Sequence, residues 1–294
     1  MNPQFGGPWT VLKLEIVRQY LVAYVQALKN QSFCTHYIDA FAGTGYVELR
    51  GGADQIQGLL AEVEEVETAS QNALQGSARQ ALEIDPPFDQ FTFIERSPWR
   101  SEQLARLQAS HFDRWGTVNV LQEDANIALQ RICARWNRTG DRAVVFLDPF
   151  GMSVDWVTLQ AIARTQSMDM WYLFPLMAVN RLLPRERPPL PEWEDKLNRF
   201  FGTANWRDEF YRQRSAPTLF DEVPDETITR IGDMDRIRDF VLARFRAIFP
   251  AVADNPRFLC TQTGTPLFLL CFAASNPRGA PIAIRIAQHI LGTR

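Results

Sequence analysis

The segment Ala143-Val144-Val145-Phe146-Leu147-Asp148 leaves this chain few folds to choose from. A nearly unbroken apolar run that stops on an acid is what a central parallel strand looks like when helices cover both of its faces. An acid at such a strand end sits at the carboxyl edge of the sheet, beside the crevice where ligands bind in open α/β folds. Other runs extend the pattern. Thr35 to Phe41, Phe91 to Glu95, Val118 to Gln122 and Met170 to Phe174 read as strands, and helical segments separate them over Ser77 to Ile84, from Ser97-Pro98 onward, from Asp124 to about Trp136, and over Asp155 to Arg164. Alternation of this kind predicts a mostly parallel, doubly wound, Rossmann-like α/β sheet.

Before the first strand, Leu12, Ile16, Leu21, Tyr24, Val25 and Leu28 recur at helical spacing, with Lys13, Glu15, Gln19 and Gln26 off that stripe, so an amphipathic helix with a polar outer face is expected. After the last helix of the alternation the pattern loosens. Pro184, Pro188, Pro189 and Pro191 precede aromatic helical segments around Trp193, Phe200, Phe201, Trp206, Phe210 and Tyr211. So many rings need burial, which argues for an inserted helical cap rather than a linker. Asp235 to Phe249 reads as a helix. Arg257 to Gln262 and Leu267 to Ala273 flank Thr263-Gly264-Thr265 as an antiparallel hairpin, and Ala280 to Leu291 closes the chain as a helix. The expected organisation is one α/β domain over 1–177 and 236–294, an acidic insertion at about 51–76, and a cap over 178–235.

Composition narrows the function classes. Of the 294 residues 46% are hydrophobic and 22% charged, an ordinary globular balance, and no apolar run is long enough to span a membrane. The start of the chain lacks the basic and apolar regions of a secretory signal, and the four cysteines stand singly, so reduced thiols and a cytoplasmic location are expected. No C-x-x-C pair, His cluster or other metal-ligand spacing occurs, and no metal is expected. A net charge of −3 argues against strong non-specific attraction to nucleic acid but permits a local basic patch.

Four strand ends carry the candidate chemistry. Asp39-Ala40-Phe41-Ala42-Gly43-Thr44-Gly45 ends the first strand in glycines, which lets a ligand approach the backbone closely. The third glycine of a dinucleotide loop is missing, which speaks against a nucleotide-dependent enzyme of another class. An acid ahead of the glycines suits instead a cofactor that bears an amino group and a positive sulfonium. Glu95 ends the next strand, where a carboxylate can accept both ribose hydroxyls or simply face solvent. Asp124, followed by Ala125, can accept from an adenine amine, and it can equally cap the helix that starts there; the two roles are compatible. Asp148-Pro149-Phe150-Gly151 is either a strand-ending turn or a device in which the carboxylate and the Pro149 carbonyl hold a substrate NH2 while Phe150 stacks on a base. Asp39, Ala40, Phe41, Gly43, Gly45, Glu95, Asp124 and Ala125 are thus the candidate cofactor-binding residues, and Asp148, Pro149 and Phe150 the candidate catalytic ones. In the cap, Arg181, Arg185, Arg187, Lys196, Arg199, Arg207, Arg212 and Arg214 share the segment with the aromatics and would suit a flipped base and its phosphates, but acids nearly balance them, and a stability role is expected for most of the aromatics.

These motifs resemble class I S-adenosylmethionine-dependent methyltransferases that modify exocyclic amines of nucleobases. Asp39 to Gly45, Phe93-Ile94-Glu95 and Phe146 to Phe150 are similar to motifs of rRNA guanine-N2 enzymes, and Asp148-Pro149-Phe150-Gly151 is similar to that of tRNA guanine-N2 dimethyltransferases. Over the whole chain, Lys13-Leu14-Glu15-Ile16, His36 to Gly45, Phe93 to Glu95, Phe146 to Met152, Trp171 to Pro175 and Asn276 to Pro281 resemble the three-Cys-motif partner family of bacteria and phages. The resemblance to class I methyltransferases implies S-adenosylmethionine as cofactor and a nucleobase amine in nucleic acid as substrate, whereas the partner family implies a methyltransferase-like fold and assigns no substrate. It equally implies a gene neighbour, a radical-S-adenosylmethionine-like three-cysteine protein, to which the chain would bind as a non-catalytic, methyltransferase-like partner.

Overall fold

The computed structural model describes residues 8–43, 76–110, 117–216 and 225–293. The expected acidic insertion, except for Gly76, and the loop residues Thr44 and Gly45 lie outside the described residues. The elements follow one another as α1 (Pro8–Leu28), β1 (Cys34–Asp39), α2 (76–82), β2 (Gln90–Ile94), α3 (Pro98–Ser110), β3 (Thr117–Leu121), α4 (Ala125–Ala134), β4 (Asp141–Leu147), α5 (Trp156–Arg164) and β5 (Met168–Phe174). Next come α6 (Leu176–Arg181), α7 (Pro191–Phe201), α8 (Trp206–Phe210), β6 (Tyr211–Ala216), β7 (Asp225–Arg230) and α9 (Met234–Arg246). The chain closes with β8 (Ala251–Val252), β9 (Arg257–Cys260), β10 (Pro266–Ala274) and α10 (Ala280–Gly292).

The main sheet has the order β3-β2-β1-β4-β5-β10-β8, and β9 pairs with β10. The first five strands in that order are parallel, while β10 is antiparallel to β5, β8 and β9. This is the doubly wound, Rossmann-like sheet with a C-terminal antiparallel hairpin that the sequence predicts. Every residue from Ala143 to Leu147 is wholly buried, because β4 lies mid-sheet with a core on each face. One core gathers Ile38, Val145, Leu147, Tyr172, Trp156 and Phe245 under α4, α5 and α9; the other gathers Tyr37, Val144, Phe146, Trp171, Tyr20 and Ile290 under α1 and α10. Alternate residues of each strand point to opposite faces, so the two lists interleave along β4.

Helix α1 departs from the expected amphipathic pattern at one residue. Lys13, off the apolar stripe and expected on an outer polar face, is fully buried. A helix that crosses a sheet near its edge meets protein beyond its apolar stripe, and a lysine there stays charged only with a partner. That partner is Asp148, 2.5 Å away. One turn and more along α1, the Tyr20 hydroxyl donates to Asp169 at the start of β5, 2.6 Å away. Two buried polar contacts therefore fix α1 across β4 and β5. Burial pushes the Asp169 carboxyl up to about 7, with the Tyr20 bond and the Arg142 charge opposing.

The segment from α6 to β7 holds helices, as expected, and also a two-stranded antiparallel ribbon of β6 and β7 that its mixed polar residues do not announce. It packs into the sheet's own core. Phe174 of β5 meets Phe200 at 5.4 Å, and Phe201 meets Phe240 of α9 at 5.2 Å. Gly202 ends α7 at φ 65°, where a side chain would be strained and where an added Cβ would lie 2.0 Å from the Trp156 ring. Arg230 at the end of β7 donates to the Asn180 and Leu183 carbonyls at the close of α6, tying the ribbon to the end of that helix.

Candidate functional site

The parallel order β3-β2-β1-β4 sets four strand ends side by side, and each ends in one of the acids singled out from the sequence. Asp124, Glu95, Asp39 and Asp148 thus share the carboxyl edge of the sheet. The loop after β1 is tied into it from both sides: the Ala40 N–H donates to the Phe146 carbonyl at 3.0 Å and the Ala42 N–H to the Ile94 carbonyl at 3.0 Å. Gly43 closes a tight turn through its N–H to the Phe41 carbonyl, 2.8 Å. Phe41 packs half-buried against the α4–α5 core.

Asp39 is fully buried. It accepts from the Ser77 hydroxyl of α2 at 2.8 Å and from the Phe41 N–H at 3.3 Å. Burial pushes its carboxyl up to about 7; the Ser77 bond opposes this, the negative Asp148 adds to it, and the Phe41 bond and Lys13 oppose it. Asp39 therefore stands near the balance between its two protonation states at neutral pH, and a cation placed beside it would drive the proton off. Ser77 gave no sign in the sequence, since one serine at the start of a helix has no local mark of a distant partner.

Glu95 is buried, not a solvent-facing strand end. Its Oε1 accepts from the Ser97 N–H at 2.7 Å, and its Oε2 lies 3.8 Å from the Arg100 guanidinium. Asp124 is the N-cap of α4, its Oδ1 accepting from the N–H groups of Asn126 (2.9 Å) and Ile127 (3.3 Å). Ala125 is buried behind it. Asn126 joins this corner to the loop after β4: its side chain donates to the Ser153 carbonyl and accepts from the Asp155 N–H, at 2.8 and 2.9 Å.

Asp148 and Lys13 have side chains with 0% exposure. Lys13 binds Oδ2; Oδ1 is buried as well and has no hydrogen-bond partner. Burial pushes the Asp148 carboxyl up, and the Lys13 ammonium pulls it back. The ammonium also lies 5.4 Å over the ring of Trp9, which packs on Phe268 of β10. Trp9 thus covers this edge of the sheet from the β10 side. Beyond Asp148, Pro149 is buried, and Phe150 is half-buried under the Arg100 guanidinium at 5.4 Å. Gly151 makes the turn at φ 55°. Arg100 thus stands between Glu95 and Phe150, and Lys13 between Asp148 and Trp9. Neither base was singled out for the site from the sequence, although Lys13 belongs to a segment that carries the family resemblance.

No protein-family model and no curated protein matches the chain. Among solved structures it is similar to protein LPL1258 from Legionella pneumophila (15% identity, TM-score 0.44, covering 97% of this chain and 92% of that one). It is also similar to an S-adenosylmethionine-dependent methyltransferase from Clostridium acetobutylicum (10% identity, TM-score 0.36, covering 88% and 91%). A third is TYW2 from M. jannaschii in complex with AdoMet (11% identity, TM-score 0.25, covering 72% and 77%). Among the described residues no helix is long and apolar enough to cross a membrane.

Proposed function

We propose that the chain is an S-adenosylmethionine-dependent N-methyltransferase acting on an exocyclic amine of a nucleobase in RNA or DNA. The observation that carries this reading is the bare Oδ1 of Asp148. Buried oxygens almost always have a partner, and an ionised carboxylate oxygen left without one costs several kcal/mol by rough measure. A planar NH2 group would supply the missing donor. One N–H would go to Oδ1 and the other to the Pro149 carbonyl, with Phe150 against the base. Held so, the nitrogen lone pair points away from the carboxylate, and the Lys13 ammonium on the other oxygen favours the ionised form of Asp148 against its burial. Little general-base strength is asked of Asp148, because an amine loses its proton late.

The residues of β1 to β3 fit the cofactor. Asp39 and the Gly43–Gly45 loop would hold its charged amino acid end, with Asp39 driven to its ionised form by that charge. Glu95 would accept the ribose hydroxyls, and Asp124 would offer adenine the oxygen that its capping bonds leave over. When bound, the cofactor supplies a methyl group on a positive sulfonium. The test is calorimetric titration with S-adenosylmethionine together with transfer of labelled methyl to bulk RNA and DNA. Asp148→Ala should abolish transfer and leave cofactor affinity within about threefold, less than 1 kcal/mol. Failure of the wild type to bind the cofactor sinks the proposal, and unchanged transfer by the variant sinks the role of Asp148.

A second reading is favoured by the same pair. Lys13 already places an ammonium on the carboxylate, as a permanent stand-in for an acceptor amine would. A non-catalytic, methyltransferase-like partner of a radical-S-adenosylmethionine-like three-cysteine protein would need no more. Co-purification of the two proteins, with no cofactor bound by this chain, would establish it.

A further inference from the structure

At the opposite edge of the sheet, β1 begins Cys34-Thr35-His36. Alternate residues of a strand share a face, so Cys34 and His36 point one way and Thr35 the other. Thr35 is spoken for, its N–H and hydroxyl both donating to Asp89 at 2.7 and 2.8 Å. On the first face, the register of β1 on β4 sets Cys34 beside Asp141. The Cys34 thiol, an imidazole nitrogen of His36 and an Asp141 carboxylate oxygen lie within 4.8 Å of one another, all three residues half-buried.

Their geometry is not that of a hydrogen-bonded cluster. The His36 Nε2 is buried and has no hydrogen-bond partner. The nearest Asp141 oxygen is 3.6 Å away, too far for a hydrogen bond. That gap does match two ligands of one ion. In a tetrahedral site with metal–nitrogen and metal–oxygen bonds of about 2.0–2.2 Å, neighbouring ligand atoms stand about 3.3–3.6 Å apart. The donors are also held in place. Trp136 meets the His36 ring edge-on at 4.8 Å and is itself fixed by its indole N–H to Ser167, 2.7 Å. The Cys34 N–H donates to the Gly140 carbonyl at 2.9 Å.

The electrostatics favour a cation. The Asp141 and Asp89 carboxylates stand beside the start of β1, on the Cys34 and Thr35 sides. The neighbouring cation, Arg142, lays its guanidinium on Phe33 at 3.8 Å and donates to the Arg138 carbonyl.

We propose that Cys34, His36 and Asp141 form a binding site for a divalent transition metal, best matched to Zn2+, at the amino edge of the sheet. A thiolate, an imidazole and a carboxylate together suit a borderline-soft ion, and three protein ligands leave one tetrahedral position for water. Binding would release the Cys34 proton to solvent. The site shares no residue with Asp39 or Asp148, and it stands whether or not the chain transfers methyl groups.

The test is a Co2+ titration of the reduced, chelator-stripped chain, followed by Zn2+ competition and thermal melting. Saturable one-to-one binding is expected, with a near-ultraviolet thiolate-to-cobalt band that Zn2+ removes, and a higher melting temperature with metal. Cys34→Ser should lose the band. His36→Gln and Asp141→Asn should each weaken binding at least about tenfold, the loss that even an outer partner of a metal ligand can bring. Circular dichroism checks that each variant is folded, and a misfolded one is replaced by Cys34→Ala or His36→Ala. Absence of saturable binding to the wild type overturns the proposal, as does a thiolate band that survives at Cys34→Ser.

Discussion

Replacing Lys13 by methionine keeps an apolar stem of similar length and deletes the charge. In the native chain the ammonium and the Asp148 carboxylate lie 2.5 Å apart, each with 0% side-chain exposure. Breaking a buried pair by removing one partner costs about 3–5 kcal/mol, chiefly because the survivor is left charged and unpaired. Asp148 can escape part of that by taking up a proton, which relieves about 1.4 kcal/mol for each unit that the pH falls below its new pKa. Without Lys13 its folded pKa stands further above the unfolded value, so the native state binds more protons and stability falls as pH rises. The penalty of Lys13→Met should therefore be larger at high pH and shrink on acidification, by up to about 1.4 kcal/mol per unit once the pH lies below the new pKa. Asp39, which feels the same ammonium, moves in the same direction and steepens the trend. Asp148→Asn strands the lysine instead, and should be destabilising as well. The double variant, with no charge left in the pair, should cost about 1–3 kcal/mol less than the sum of the two. Urea unfolding of the four proteins at pH 5 to 8 measures all of this. A Lys13→Met penalty below about 1 kcal/mol at pH 8, or one that does not change with pH, would refute the account of the pair.

Two further outcomes follow from the site and its support. Because Asp39 titrates at about 7, affinity for a cationic cofactor should drop by up to about tenfold per unit below that pH, with one proton released on binding at pH 6 and little at pH 8. Calorimetry in buffers of different ionisation heat reads the proton count, and an affinity flat from pH 6 to 8 would contradict the assignment. Gly202→Ala should cost about 2–4 kcal/mol, from strain at positive φ and from the Trp156 ring in the path of the new Cβ. Chemical denaturation checks it, and a loss under about 0.5 kcal/mol would show that α7 can close another way.

How far the sequence could be read depended on whether the cause of each feature was local. The burial of β4 is written in five consecutive apolar residues, and the cap at Asp124 in the residue types beside it. Strand ends were readable for the same reason, and with them the acids that line the carboxyl edge. Lys13 was not. Helical periodicity marks the apolar stripe of α1, yet what surrounds the rest of the helix depends on β4 and β10, far along the chain. The β6–β7 ribbon escaped notice because Arg212, Gln213 and Arg214 do not alternate apolar with polar, and its pairing is held by backbone bonds. Cys34, His36 and Asp141 share no spacing that a motif could record, since strand register alone brings them together.

The rings beneath α7 bear on how this molecule could come to accept something new. The segment from α6 to β7 is rooted at the C-terminal end of β5, the edge that carries Asp39 and Asp148. Phe200 and Phe201 continue into the rings of Phe174 and Phe240, so this wall is cast in one piece with the sheet. A hinged door can admit guests of several sizes, whereas a cast wall fits one outline. In the proposed enzyme, retuning the acceptor would then fall to the short loop from Pro149 to Ser153, where the space around Gly151 is open but its φ of 55° strains any side chain set there, so that its neighbours in the loop carry the change.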